Sequence, residues 1–140
     1  MASPSGLVAR IDADFSGWPL VTVRATGNVS HAEHAAFIAE LDEHVYAKRE
    51  PYALVMDLRG NGGLSPRQRQ RQADRVKQQR EDGLRCAGVA LVFSSPLLRG
   101  MLTAILWVAK PEHPVRVFTD LGEALVWAKD QLRAAAEAAG

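Results

Sequence analysis

The sequence predicts an α/β domain with a mostly parallel or mixed sheet of about five strands flanked by four main helices. Two short, nearly continuous apolar runs, YALVMDL at 52–58 and CAGVALVFS at 86–94, have the length and composition of central strands covered on both faces. Segments of helical periodicity alternate with these runs, the pattern of parallel strands joined by crossover helices. Capping boxes open two of the helical segments, Ser30 with Glu33 and Asp120 with Glu123.

Taken in order, LVARID (7–12) and LVTVRAT (20–26) read as the first two strands, because Val, Ile and Thr fit a pleated surface. FSGWP breaks between them through Gly17 and Pro19. Ser30 then starts a helix whose Phe37, Ile38, Leu41 and Val45 recur on one face, ending near Arg49 before Pro51. The 52–58 strand, a glycine-rich turn and a helix from about Pro66 to Asp82 follow, and the 86–94 strand comes next. Ser95 and Pro96 suit the cap and first position of a helix over 96–109. VRVFT (115–119) is the last strand, and Leu121, Leu125, Ala128 and Leu132 line the closing helix. No repeat or linker divides the 140 residues, so a single domain over 1–140, with its core at about 7–135, is expected.

Composition narrows the function classes. Seventeen basic and sixteen acidic residues leave a formal charge of +1, which proposes no polyanionic partner. The single cysteine, Cys86, lies in an apolar run and fits a reducing, cytoplasmic setting. The start MASPSGLVAR lacks the pattern of a secretory leader. The apolar stretch MLTAILWVA has nine residues, against the roughly 20 that span a bilayer, so no transmembrane segment is expected.

The stretch DLRGNGGLSPRQRQRQ (57–72) is the most unusual in the chain. It leaves a strand at its carboxyl end, the edge where open α/β sheets usually carry their functional loops. Its glycines lack both the phosphate-loop and the dinucleotide-binding patterns, so no nucleotide cofactor is expected. From 64 to 82, six basic residues stand against three acidic ones. Arg67, Arg71 and Arg75, four apart, share one helix face. A solvated face and a surface for an anionic protein are both open readings. Nucleic acid is not expected, because no aromatic residue interleaves with these arginines.

His31, His34 and His44 do not complete a zinc pattern, and no serine elbow or paired carboxylates announce catalysis. The reading is therefore non-enzymatic, without cofactor or metal. In 96–109, Leu98, Met101, Leu102 and Ile105 form one stripe, while Leu106 and Trp107 spread apolar surface beyond it. That segment is either deeply packed or meets another subunit.

YALVMDLRG with its glycine loop, CAGVALVF, and the closing VRVFTDLGEALVWAKDQL together resemble the STAS domain family, in its SpoIIAA-like or STAS/SEC14-like branch. The resemblance implies a small non-enzymatic cytoplasmic domain similar to anti-sigma factor antagonists. Its implied partner is a protein, either a regulatory kinase or a homologous STAS-type subunit, and a homodimer is consistent with it. The family's regulatory serine commonly stands in an Asp-Ser pair at the helix start. Here Ser65-Pro66 occupies that place, with Ser65 matching after a one-residue slip. The candidate regulatory residue is Ser65, and the candidate interaction residues are Arg59, Asn61, Arg67, Arg71, Arg75, Leu106 and Trp107. The lipid-transfer-like branch implies an alternative, a small module for an apolar ligand.

Overall fold

Five strands form one sheet in the order β1-β2-β3-β4-β5: Arg10–Asp14, Leu20–Thr26, Tyr52–Asp57, Cys86–Val92 and Val115–Phe118. In the computed structural model, the described residues are 10–60, 66–81, 86–97, 100, 103 and 113–139. β1 pairs antiparallel with β2, and the other pairings are parallel, so the sheet is mixed. The first strand reaches Asp14, two residues past its expected end, because β2 offers Thr22 as its partner.

Three α-helices are delineated among the described residues: α1, His31–His44; α2, Pro66–Glu81; and α3, Leu121–Ala139. Four had been expected. The fourth, over 96–109, falls mostly outside the described residues, and only Pro96, Leu97, Gly100 and Thr103 of it are described as helical.

The strand order advances steadily in one direction, so right-handed crossovers bring α1 and α2 to the same face. That face is packed by Val21 and Val23 of β2, Tyr52, Leu54 and Met56 of β3, and Phe37 and Leu41 of α1. The alternate residues of β3, Ala53 and Val55, meet Ala90 and Val92 of β4, Phe118, and Ala124 and Ala128 of α3 on the opposite face. Period-two alternation thus feeds two cores from one strand, which is why YALVMD reads as a continuous apolar run. Alanines at 53, 90, 124 and 128, all fully buried, let α3 lie close to the sheet. Gly88 continues that path. A Cβ there would stand 3.1 Å from the Trp127 ring and 3.2 Å from Gln131 Cγ.

Ser30 caps α1 by accepting from the Glu33 amide at 3.1 Å, while its hydroxyl donates to Glu33 Oε1 at the same distance. The helix ends at His44, earlier than expected, and passes into a 3-10 turn, Tyr46–Lys48. Arg49, at φ 54°, reverses the chain ahead of Pro51. This exit turns Tyr46 into the core, its ring 5.9 Å from that of Tyr52. At the other end of the sequence, Asp120 caps α3 by accepting from the amides of Gly122 (2.7 Å) and Glu123 (3.3 Å).

α3 packs mainly on β3, β4 and β5. On that face the β1–β2 side therefore carries Asp12, Thr22 and Arg24, polar residues at alternate strand positions. The carboxyl ends of β2 and β3 lie beside this open surface.

Candidate functional site

Asp57 ends β3 with only 7% of its side chain exposed, and it is in register with Arg24 of β2. A carboxylate so buried needs donors, and Arg59 supplies them. Its amide donates to Oδ1 at 3.2 Å, its Nε to Oδ1 at 2.8 Å and its Nη2 to Oδ2 at 2.9 Å. This two-pronged pairing fixes the guanidinium plane as well as its position. It also holds the Asp57 carboxyl below its ordinary range; desolvation opposes the shift, and the charge of Arg24 adds to it.

The backbone around this pair is tied across the sheet edge. Gly27 follows β2 at φ 64°, a conformation that favours glycine, and its amide donates to the Gly60 carbonyl at 2.8 Å. The loops leaving β2 and β3 are thereby joined. Between them lies an open cleft of about 300 Å³ lined by Arg24, Ala25, Thr26, Asp57 and Arg59.

The arginines of α2 have different destinations. Arg67 is exposed. Arg71 donates through Nη1 to the His31 carbonyl at 3.1 Å, at the start of α1. Arg75 donates through Nε to Asp42 Oδ1 at 2.7 Å and lies 5.5 Å from the centre of the Tyr46 ring. Gln68 is buried and donates to the Val29 carbonyl at 2.7 Å. One side of α2 is thus fastened to α1 and to the loop before it, whereas Arg67 is presented outward near the helix start. Asn61, Ser65, Leu106 and Trp107 lie outside the described residues. Leu97, just inside them, is 75% exposed.

Sequence reasoning missed Arg24 and the use of Asp57 as the anchor of Arg59. The signal for Arg24 was its place in LVTVRAT, where it follows Thr22 by two residues and leads to Thr26, a polar row along one strand face. Among the histidines, His34 is completely buried on α1, while His31 and His44 are exposed. No group of three His, Cys, Asp or Glu side chains among the described residues could hold a metal ion. Cys86, the first residue of β4, is partly buried, and burial pushes its thiol up to about 11, far from the range of an activated nucleophile. No helix among the described residues is long and apolar enough to cross a membrane.

The family description SpoIIAA-like matches residues 20–129, from the first residue of β2 to the middle of α3. The chain belongs to the SpoIIAA-like family. The match includes both central strands and the whole 57–72 stretch. Among solved structures, a DUF3478-family protein with a SpoIIAA-like fold from Shewanella loihica PV-4 superposes with a TM-score of 0.68 at 16% identity. That similarity covers 91% of this chain and 98% of the other. An anti-sigma factor antagonist from Mycobacterium paratuberculosis superposes with a TM-score of 0.52 at 19% identity, over 92% of this chain and 99% of its own. At these identities the likeness is one of fold. No curated protein matches the chain. In this SpoIIAA-like domain, the cleft and the start of α2 share the carboxyl edge of the parallel strands.

Proposed function

We propose that this chain is a non-enzymatic protein–protein interaction module of a bacterial regulatory or signalling system. Its recognition edge runs from the end of β3 through the 59–65 loop to the start of α2. The observation that carries the reading is the arrangement at that edge: Arg59 is held outward by a buried carboxylate, Arg24 stands beside it, and Arg67 is exposed. With Nε and Nη2 engaged by Asp57, the guanidinium plane is ordered before the partner arrives, and its remaining N–H donors suit recognition of a planar carboxylate. The shared fold with an anti-sigma factor antagonist, across nearly the whole of both chains, supports a regulatory partner.

The partner class is a regulatory kinase or a second STAS-type subunit. Asn61 and Ser65 belong to the loop that meets it. Phosphorylation of Ser65 would add nearly two negative charges beside the α2 arginines and compete with an acidic partner surface. Leu106 and Trp107 are proposed as the apolar contact of self-association, in keeping with the exposure of Leu97 in the same segment. A reducing cytoplasmic setting fits the free, shielded thiol of Cys86.

Affinity capture from a native cell extract, followed by titration of the captured protein, tests the reading. Arg67→Gln, which preserves helix propensity, should weaken binding and flatten its salt dependence. Equal affinity and equal salt dependence for wild type and Arg67→Gln would remove α2 from the recognition edge. Ser65→Asp should weaken the same titration, and an unchanged affinity would withdraw the switch. Sedimentation of Leu106→Glu and Trp107→Glu tests the apolar contact, because a folded variant that associates like wild type excludes it.

A further inference from the structure

We propose that the cleft between the ends of β2 and β3 receives a carboxylate group, gripped by the guanidiniums of Arg24 and Arg59. The inference rests on the protein-interaction reading and names the chemistry that its recognition edge takes.

Three features make this a built site. The segments that bound it are tied together, since the Gly27 amide and Gly60 carbonyl join the chain just beyond the two strand ends. One of its cations is preorganised: Asp57 receives three hydrogen bonds from Arg59, and among the described residues these are all that it receives. Its second cation is uncommitted to that carboxylate. Arg24 stands in register with Asp57 and contributes charge to it without donating a hydrogen bond. Asp57 is therefore a positioning residue, and the donors left on both arginines can be turned to a ligand.

Charge decides the ligand class. Arg24, Arg59 and Asp57 together carry a surplus of one positive charge, which one carboxylate neutralises. A phosphate dianion would leave the cleft negative, next to a carboxylate with little access to water. The surroundings argue in the same direction. Asp12 stands opposite Arg24 in the β1–β2 register, but it is exposed, where water screens its charge. The charge of Asp120 also acts on Arg59, and that carboxylate is already engaged by the first amides of α3. Negative charge at the rim opposes any anion, and a dianion more strongly than a carboxylate.

The carboxylate can come from an acidic side chain of a protein partner or from a free organic acid. Titration of the full-length chain, observed through arginine Nε–H and backbone amide NMR signals, separates these sources. The probes are an uncharged-ended hexapeptide with one central glutamate, succinate, and inorganic phosphate. Either carboxylate should shift the Arg24 and Arg59 Nε–H signals and the Gly27 and Gly60 amides saturably. The amide analogues, a glutamine hexapeptide and succinamide, should not. Tighter binding of the hexapeptide assigns the cleft to a protein partner, and tighter binding of succinate assigns it to a free acid. Arg24→Gln lies on an exposed strand face and should fold, with carboxylate affinity lowered about tenfold, the size expected for one charged hydrogen bond. Absence of saturable shifts with both carboxylates, equal affinity in Arg24→Gln, or preference for phosphate would each overturn the proposal. Failure here with a captured partner that remains sensitive to Arg67→Gln would remove the cleft alone. Carboxylate binding without any partner effect of Arg67→Gln would retain the cleft and remove the α2 edge.

Discussion

Arg75 and Asp42, on different helices, are joined by a 2.7 Å hydrogen bond between Nε and Oδ1. The same guanidinium lies over the Tyr46 ring, so one side chain ties α2 both to α1 and to the turn that ends it. A residue that looks like part of an exposed basic stripe thus has a structural use, with its side chain only 23% exposed. Arg75→Gln is expected to cost about 1 kcal/mol of stability, the combined scale of a partly exposed ion pair and a cation–π contact. Arg67→Gln should stay within about 0.5 kcal/mol, as exposed substitutions usually do. Urea denaturation of the two variants, with Asp42→Asn to complete a double-mutant cycle, checks both values.

Asp57 should make stability depend on acid. Its folded-state value is depressed from the ordinary 3.8, chiefly by hydrogen bonding from Arg59. The contribution is therefore complete above that ordinary value and is lost as pH falls through the depressed one. Asp57→Asn is expected to destabilise the domain by about 1 to 3 kcal/mol at neutral pH, because a buried charged hydrogen-bond pair loses one partner. The gap between wild type and variant should narrow as pH falls below 4, a range accessible to denaturation curves at several acid pH values.

Gly88 reports on how closely α3 approaches the sheet. Gly88→Ala would press a methyl group against Trp127 and Gln131, and a cost of about 1 to 3 kcal/mol is expected from overpacking. Thermal unfolding should detect it as a lower Tm. A matching substitution at Gly100, whose surroundings are open, should show no such packing penalty.

The thiol of Cys86 should be slow to react in the folded domain. Burial raises it to about 11, with hydrogen bonding to Gly88 and Tyr52 opposing the shift only in part. Ellman's reagent at pH 8 should label the native protein far more slowly than the protein in guanidinium chloride. Comparable rates in both states would show that the shielding of this strand is absent in solution.

The sequence was most legible where a local rule acts alone. β2 has its expected bounds, 20–26, and α2 starts at Pro66 as expected, because strand composition and a proline at the first helical turn speak within a few residues. The capping residues Ser30 and Asp120 were legible for the same reason. α1 was read too long, since its periodic Val45 continues the apolar face even though the backbone has left the helix there to bring Tyr46 inward. The resemblance in YALVMDLRG and VRVFTDLGEALVWAKDQL led to the SpoIIAA-like family, and the match over 20–129 shows that membership.

What the sequence by itself determined is the α/β class, the two central strands, the helix starts and the carboxyl edge where Asp57 ends β3. These follow from alternation, helical periodicity and capping, which are written in near neighbours along the chain. Only the tertiary structure decided that Arg75 turns to Asp42 and Arg71 to His31, while Arg59 is held by Asp57 with Arg24 at its side. The same side-chain type reaches opposite ends in these cases because a guanidinium's energy depends on which carboxylate, carbonyl or ring the fold brings within hydrogen-bonding distance. The partners of Arg71 and Arg75 lie 40 and 33 residues away in the sequence, where no local pattern encodes them. Even Arg59, two residues from Asp57, owes its ordering to the burial that the sheet imposes on that carboxylate.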